Sequence, residues 1–320
     1  MKLYVNCITS GAELRNDIKT LIPEMNLRRR MSRVVKSGVA AGIESLLAFG
    51  DRSPIDAVVT ATGLGCVADS EKFLDALIAN EERMLNPTPF IQSTFNTVGA
   101  QIALLRGLHC YNTTYAHRWT SFENALMDAA LRLGAGLSQA VLVGAFDETT
   151  PSVEKILQRL RVAPQGRWGE SAVFFVLTAE AFDTSVAAIT QIRIPADDTA
   201  PGGGFTTQGD SEGAEGRDSR ETAPEGAVPA GTADGRRTET EARQDCRAGE
   251  TGPRTGPVTD DGGQSGRIRE VYASQTGAAP HFTAIAEAFR LAIAANAGRR
   301  IVLYNDFPGG KASAIELTCM

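Results

Sequence analysis

The stretch that decides the fold runs from Asn112 to Glu148 and reads NTTYAHRWTSFENALMDAALRLGAGLSQAVLVGAFDE. From Phe122 onward, apolar residues recur at three- and four-residue steps, which predicts an amphipathic helix. Gly134 and Gly136 end that helix. The continuous apolar run 140–145 predicts a strand that is covered on both faces. The stretch therefore predicts a strand, a sharp turn, a long helix and a buried strand.

The turn that leads into this helix contains His117, Arg118, Trp119, Thr120 and Ser121, and it contains no cysteine. Many enzymes place a nucleophile at such a turn, because the amino end of a helix stabilises developing negative charge. Ser121 and His117 are therefore candidates for acyl chemistry. The alternative is that Ser121 caps the helix and that His117 is an ordinary polar residue of the turn.

The composition sets limits on the class of protein. The chain has 320 residues, of which 42% are apolar, and a net charge of −6. This acidic balance argues against a general attraction to nucleic acid or to anionic membranes. The five cysteines are scattered and lack CxxC spacing, which fits reduced thiols better than disulfides or a zinc site. No apolar run reaches the ~18 residues of a membrane span. We expect a soluble cytoplasmic protein without a metal or a cofactor.

Strands and helices alternate along the rest of the chain. This alternation, with fully apolar strands, predicts an α/β fold with a mostly parallel or mixed sheet and helices on both faces. The prolines of residues 86–95 predict an extended segment, after which Ser93 or Thr94 is expected to cap a helix. The predicted strands are 2–8, 56–62, 140–145, 169–177, 187–194, 300–304 and 312–317, and the predicted helices are 24–49, 70–84, 96–105, 122–133, 152–160 and 282–297.

Residues 63–68 form a GxGxxA pattern between a strand and a helix. A dinucleotide-binding site needs an acidic residue at the end of the next strand, about 20 residues further on. Glu81 and Glu82 lie at that distance, but inside a helical pattern. The glycines are therefore interpreted as a tight turn.

The predicted helix 24–49 begins with a cluster of basic residues, namely Arg28, Arg29, Arg30, Arg33 and Lys36. Such a cluster is most often a solvated face. The functional alternative is a docking surface for an acidic partner, which electrostatic attraction would steer.

Residues 196–267 contain no Leu, Ile, Met, Tyr or Trp. Such a segment cannot bury enough apolar surface to offset the loss of chain entropy, so it is predicted to be disordered. The chain then divides into an α/β domain over 1–195, this insert, and a C-terminal α/β remnant over 268–320 that completes the fold.

Four segments together resemble the β-ketoacyl synthase family of the thiolase superfamily. They are NPTPFIQSTFNTVGAQIA (86–103), the stretch 112–147, GESA followed by VFFVL (169–177), and NDFPGG (305–310). The resemblance implies a thiolase-like layered αβα architecture, with a mixed sheet, a buried central helix and a truncated second lobe.

The same resemblance shows where this chain departs from the family. The family's condensing reaction needs a cysteine at the turn and two histidines. Alignment with the family places Trp119 at the cysteine position, and only His281 could match a histidine. The resemblance therefore implies a degenerate member that lacks the nucleophile and is similar to a chain-length factor.

We therefore expect a non-catalytic subunit that pairs with a catalytic ketosynthase as a heterodimer and receives an acyl carrier protein. Fatty-acid, polyketide or aryl-polyene-type synthesis is the expected setting. Trp119, Phe122 and Phe95 are expected at a substrate tunnel or an interface, and the five basic residues at the carrier protein. One alternative is an acyltransferase or thioesterase-like enzyme that uses Ser121 or His117 on acyl-carrier thioesters. Another is a binding module that acts as a scaffold.

Overall fold

The structure is a computed structural model that describes residues 2–160, 169–194, 205–206, 268–276, 283–305 and 313–320. Except for residues 205–206, the segment predicted to be disordered lies outside the described residues. His281, most of the NDFPGG turn and the first residue of the predicted helix 282–297 also lie outside them.

Ten strands and nine α-helices form within the described ranges. The strands are β1 (Leu3–Ser10), β2 (Ile55–Ala61), β3 (Tyr111–Tyr115), β4 (Ala140–Asp147), β5 (Ser171–Thr178), β6 (Ser185–Arg193), β7 (Phe205–Thr206), β8 (Arg269–Tyr272), β9 (Arg300–Asn305) and β10 (Ser313–Cys319). The helices are α1 (Ile18–Leu21), α2 (Met25–Arg30), α3 (Arg33–Phe49), α4 (Val67–Ala79), α5 (Pro87–Gln92), α6 (Thr97–Arg106), α7 (Ser121–Gly134), α8 (Pro151–Arg159) and α9 (Ala284–Ala295).

The strands join into one mixed sheet with the order β3-β2-β4-β5-β1-β6-β10-β9-β8, and β7 pairs with β6. The pairs β2–β3, β2–β4 and β8–β9 are parallel. The pairs that involve β1, β5, β6 or β10 are antiparallel. The predicted α/β class with a mixed sheet is confirmed.

The sheet consists of two halves that repeat one arrangement. We call β3-β2-β4-β5-β1 the first half-sheet and β6-β10-β9-β8 the second half-sheet. In the first half-sheet, β1 pairs antiparallel with β5, and β5 pairs antiparallel with β4. In the second half-sheet, β6 pairs antiparallel with β10, and β10 pairs antiparallel with β9. The described part of the second half-sheet has one strand fewer than the first half-sheet.

One face of the sheet, which we call the inner face, packs against α7 and α9. The apolar stripe of α7 is buried, and Phe122 at its start is fully inaccessible to solvent. The Phe122 ring packs edge-on against Phe289 of α9 and Phe175 of β5, with centroid distances of 5.7 and 6.3 Å. The buried central helix is thus confirmed, and it joins the core of the two half-sheets.

The opposite face, which we call the outer face, is covered by α3 and α6 over the first half-sheet. Val58, Leu142, Phe174 and Val176 are completely buried there. Gly144 provides room for this packing, because a Cβ atom at that position would lie 2.1 Å from the Phe174 ring.

Two predicted segments were wrong. The predicted helix 24–49 consists of two helices, because Met31 is buried in an extended conformation (φ −69°, ψ 132°) and α3 begins after Ser32. Residues 87–92 form α5 rather than an extended segment. The Asn86 side chain accepts a hydrogen bond from the Thr88 N–H, and Pro87 occupies the first helical position, where its missing N–H costs nothing.

Several predicted helix ends also differ. The residue that precedes α6 is Asn96, rather than Ser93 or Thr94. Helix α4 begins at Val67 and ends at Ala79, earlier than the predicted 70–84. Beyond it, Glu81, Glu82 and Met84 have positive φ angles of 48°, 63° and 49°, which a right-handed helix cannot contain.

Candidate functional site

The turn between β3 and α7, residues 116–120, reverses the chain sharply, and we call it the elbow turn. Arg118 adopts a left-handed conformation with φ of 55°, which is costly for a residue with a side chain. Residues 118–120 form a 3-10 turn that leads directly into α7. This geometry places the side chains of the turn at the amino end of a buried helix.

Trp119 lies on the elbow turn and points into the protein. Its side chain belongs to the inner-face core, and the residue is only 8% exposed. Its carbonyl oxygen accepts a hydrogen bond from the Asn305 amide at 3.1 Å. A bulky indole therefore fills the position to which the family resemblance assigns a cysteine.

Ser121 and His117 do not form a nucleophile–base pair in this geometry. The Ser121 hydroxyl is fully buried and accepts a hydrogen bond from the His117 backbone N–H at 2.8 Å. It lies 2.8 Å from each of two carbonyl acceptors, those of Thr62 and Arg118. The exposed His117 ring lies beside the Tyr115 ring, with a centroid distance of 5.9 Å. These contacts favour the structural interpretation of Ser121, which links the turn to the end of β2.

Glu123 is a site residue that the sequence reasoning missed. It is completely buried on α7, and its Oε1 atom accepts hydrogen bonds from the Asn305 amide at 2.8 Å and from the Ser313 hydroxyl. Burial raises the pKa of its carboxyl group. The sequence held one indication that Glu123 is buried, because Glu123 lies one helical turn before Leu126 of the apolar stripe.

Asp147 joins segments of both halves at the end of β4. Its buried carboxylate accepts hydrogen bonds from the Thr62 hydroxyl at 2.9 Å and the Gly63 N–H at 2.9 Å. The Thr283 N–H and hydroxyl, just before α9, donate to its other oxygen at 2.9 and 2.7 Å. The Gly63 N–H is thus occupied by a carboxylate, and Gly65 turns the chain with φ of 74°. This arrangement agrees with a tight turn rather than a dinucleotide site.

The five basic residues of the predicted carrier contact have different surroundings. Arg29 and Arg30 are exposed on α2. Arg28 donates to the Ile22 carbonyl at 2.5 Å and to the Pro23 carbonyl at 3.3 Å. Arg33 forms an ion pair with Glu170 at 2.5 Å, and Lys36 is half-buried on α3.

Phe95 belongs to an apolar patch on α4, α5 and the segment that follows α5. Its ring packs over Gly65, but the residue is 49% exposed. Asn96, the next residue, accepts a hydrogen bond from Thr114 of the edge strand β3 at 2.9 Å, so Phe95 lies next to a residue that contacts the sheet edge. The members of this apolar patch are Leu74, Ile78, Phe90, Ile91 and Phe95, and each is at least 49% exposed.

The described residues lack two features that would indicate a membrane protein or a metalloprotein. No helix in these ranges is long and apolar enough to cross a membrane. Within the same ranges, no group of three or more His, Cys, Asp or Glu side chains is placed to hold a metal ion.

Comparison with solved structures finds related folds at low sequence identity. The ishigamide ketosynthase/chain length factor superposes with a TM-score of 0.61 at 14% identity, over the full length of both chains. A type II PKS acyl-carrier protein in complex with its ketosynthase bound to the hexaketide gives a TM-score of 0.51 at 17% identity, covering 60% of this chain and 67% of that chain. These likenesses establish the thiolase-like fold. No curated protein matches the sequence.

A comparison with protein families matches the description "Beta-ketoacyl synthase, N-terminal domain" over residues 11–179, more than half of the chain. The match covers the elbow turn, the central helix α7 and the strands β2 to β5 that surround them. This chain therefore belongs to the β-ketoacyl synthase family.

Proposed function

We propose that this chain is a non-catalytic, chain-length-factor-like subunit that pairs with a cysteine-bearing ketosynthase. The observation that carries the proposal is the buried indole of Trp119 on the elbow turn. The heterodimer would act in the cytoplasm, in fatty-acid, polyketide or aryl-polyene-type synthesis. Trp119 would then limit the space that is available to the growing acyl chain.

The chemistry of the turn supports a non-catalytic role. Acyl transfer through the turn needs a nucleophile that can form a thioester or ester, and an indole cannot form either. The buried Ser121 hydroxyl is within bonding distance of backbone groups only, among its described contacts. No observation at this turn favours the acyltransferase or thioesterase alternative.

The thiols that the structure describes do not compensate for the missing nucleophile. Cys7, Cys66, Cys110 and Cys319 are free, and none lies on the elbow turn. Burial raises the pKa of all four thiols, that of Cys319 to about 11. A raised pKa disfavours the thiolate, which is the reactive form of cysteine.

The edge strand β3 and the adjacent apolar patch provide a surface for the ketosynthase partner. Within the described residues, strand β3 pairs on one side only, with β2, so its other edge can extend a sheet across a dimer. Contiguous exposed apolar side chains commonly mark an interaction site. Phe95, beside the hydrogen-bonded pair Asn96 and Thr114, lies where the edge and the patch meet.

Arg29 and Arg30 supply exposed positive charge for the acyl carrier protein. Arg33 and Lys36 extend the same surface onto α3, while Arg28 holds the chain before α2. A basic surface would accelerate the encounter with an acidic carrier, and this effect should weaken with salt.

The proposal is tested by co-expressing the chain with a cysteine-bearing ketosynthase and its carrier protein. We expect a stable complex in which Trp119→Ala lengthens the product distribution and Trp119→Phe changes it less. Phe95→Asp should weaken the complex, whereas Leu160→Asp, an exposed site outside the apolar patch, should not. A chain that remains monomeric beside the ketosynthase, or product lengths that ignore Trp119→Ala, would contradict the proposal.

Mass spectrometry separates this proposal from the enzymatic alternative. After incubation with an acyl-carrier thioester, the chain should show no acyl adduct. An adduct on wild-type protein that disappears in Ser121→Ala would instead support an acyltransferase or thioesterase.

A further inference from the structure

Glu123 differs from Glu44 and Asp147, two other buried carboxyl groups, in how its oxygens are bonded. Both oxygens of Glu44 accept a backbone N–H, from Arg15 at 2.8 Å and from Asn16 at 3.1 Å. Asp147 also has donors on both oxygens. Glu123 accepts two hydrogen bonds on Oε1, whereas its buried Oε2 atom has no partner among the described residues. A buried acceptor without a donor is costly.

Asn305 has the same deficiency on its own oxygen. Its amide nitrogen uses both hydrogens, donating to Glu123 Oε1 at 2.8 Å and to the Trp119 carbonyl at 3.1 Å. Its buried Oδ1 atom lacks a donor within the described part of the chain. Ser313 lies opposite Asn305 on β10, but its hydroxyl donates its single proton to Glu123 Oε1. Two side chains that already share one hydrogen bond are therefore each left with one oxygen in need of a donor.

One proton on Glu123 Oε2 would satisfy both oxygens. A neutral carboxyl group has one O–H donor and one accepting oxygen, and a primary amide has one matching acceptor and N–H donors. The two planar groups can therefore join through two parallel hydrogen bonds. The first of these bonds is present, from Asn305 Nδ2 to Glu123 Oε1. An ionised Glu123 would leave both oxygens without a donor.

The surroundings of Glu123 favour its neutral form. Complete burial raises the pKa of its carboxyl group, and the groups that oppose this rise are uncharged, namely the Ser313 hydroxyl, the Asn305 amide and the backbone N–H of Glu123 itself. The titratable or charged residues on the described elements around it face elsewhere, and they are the exposed His117 and Arg118 of the elbow turn, the outer-face Arg300, Tyr304 and Glu316, and Asp128, which accepts from Tyr111.

We propose that Glu123 is a neutral carboxylic acid in the folded protein, that it donates its proton to Asn305 Oδ1, and that this acid–amide pair is a proton-dependent clamp on the elbow turn. If Glu123 loses its proton to solvent, its charge repels Asn305 Oδ1. The amide then shifts, and its bond to the Trp119 carbonyl weakens. Alkaline pH therefore loosens the turn. The inference goes beyond the proposed function and holds whether or not the chain pairs with a ketosynthase.

Infrared difference spectroscopy of the full-length chain at about pH 7 tests the protonation directly. The spectrum of wild type minus Glu123→Gln should contain the C=O stretch of one protonated carboxyl group, and this band should shift in D₂O. Glu180→Gln, at an exposed position, is the control and should remove carboxylate absorption only. If Glu123→Gln also removes carboxylate absorption, then Glu123 is ionised, a bound water or cation fills the gap, and the inference is overturned.

Thermal unfolding across the pH range gives an independent test. Gln mimics the neutral acid, because its amide nitrogen can donate to Asn305 Oδ1 while its oxygen accepts. The folded wild type keeps a proton that the unfolded chain releases above about pH 4.5, so its Tm should fall relative to Glu123→Gln by roughly 3–4 °C for each pH unit. A difference that does not vary with pH, or a Gln variant that fails to fold, would contradict the inference.

Glu44→Gln is the matched buried control for this experiment. Both Glu44 oxygens accept N–H groups, so an amide nitrogen at that position would face a donor. We expect this variant to lose roughly 3 °C or more in Tm at every pH at which Glu123→Gln equals or exceeds the wild type.

The fluorescence of Trp119 reports on the clamp itself. Trp168→Phe leaves Trp119 as the only tryptophan of the chain. In this background, acrylamide quenching of Trp119 should increase from about pH 6 to the highest pH at which circular dichroism shows the native fold. Adding Glu123→Gln should abolish the increase. Quenching that stays constant with pH in the Trp168→Phe protein, or that rises equally in both proteins, would overturn the clamp.

Discussion

The two half-sheets share a strand arrangement but differ in how far their outer faces are buried. In the first half-sheet, apolar side chains of β2, β4 and β5 on the outer face are buried under α3 and α6. In the second, the outer-face residues Val302, Tyr304 and Glu316 are only partly buried, and Tyr272 is exposed. The second half-sheet is mainly antiparallel, and such sheets tolerate one face in water. The described part of the second half-sheet therefore has an outer face whose side chains suit partial exposure.

The two halves do not differ in this way on the inner face, because both halves contribute to its core. Phe122 of the central helix packs against Phe289 of α9, which belongs to the second half. Asn305, at the end of β9, donates to both the Trp119 carbonyl and the Glu123 carboxyl group. The elbow turn is thus held from both sides. The described strands and helix of the second half therefore help to hold the site in place.

The largest effect on stability is expected when one aromatic residue on each outer face is replaced by alanine. Phe174→Ala should destabilise the protein by about 3–5 kcal/mol, because Phe174 is fully buried and its loss leaves a cavity. Tyr304→Ala, on the partly exposed outer face of β9, should cost about 1 kcal/mol. Urea unfolding of the two variants beside the wild type measures the difference. Equal losses would mean that the second outer face is as well covered as the first.

A smaller effect concerns the charge at the end of β4. Glu148 is 6% exposed, and burial raises the pKa of its carboxyl group to about 7, with Asp69 adding to the shift and Arg33 opposing it. The folded protein therefore keeps a proton that the unfolded chain releases, so stability should fall as pH rises from about 4.5 to about 7. Above that pH range, the loss of stability should stay constant.

Glu148→Gln removes this titration but retains an oxygen that can accept from the Ala68 N–H, as Glu148 does at 3.0 Å. We expect the variant to be about 1–2 kcal/mol more stable than wild type at pH 8, allowing for solvent screening, and similar at pH 4. Thermal unfolding across this pH range measures the difference. Glu180→Gln, at an exposed position, is the control and should show no such trend. A pH-independent difference for Glu148→Gln would contradict the assignment.

The sequence predicted the features that depend on periodicity within the chain. The apolar stripe of α7 and the apolar run of β4 specified a central helix beside a buried strand, and both are present. The position of Trp119 on the turn followed from the same stretch. These predictions succeeded because amphipathic spacing is a local property that burial then reinforces.

The features that the sequence did not predict depend on contacts between distant segments. The break between α2 and α3 follows from the burial of Met31 in the outer-face core, which no local pattern reveals. Glu123 looks like a solvated helix residue, yet it bonds to Asn305 and Ser313, more than 180 positions away in the chain.

The smallest expected effect tests whether the second outer face is in contact with solvent. Arg300 and Glu316 form an ion pair at 3.0 Å across β9 and β10, and the Arg300 side chain is 53% exposed. Glu316→Gln should therefore cost less than about 1 kcal/mol in low salt, and the difference should largely disappear in 0.5 M NaCl because solvent-exposed pairs are screened. Urea unfolding at the two salt concentrations measures both values. A loss well above this value that persists in salt would require a desolvated pair, and would therefore show that another part of the assembly covers this face.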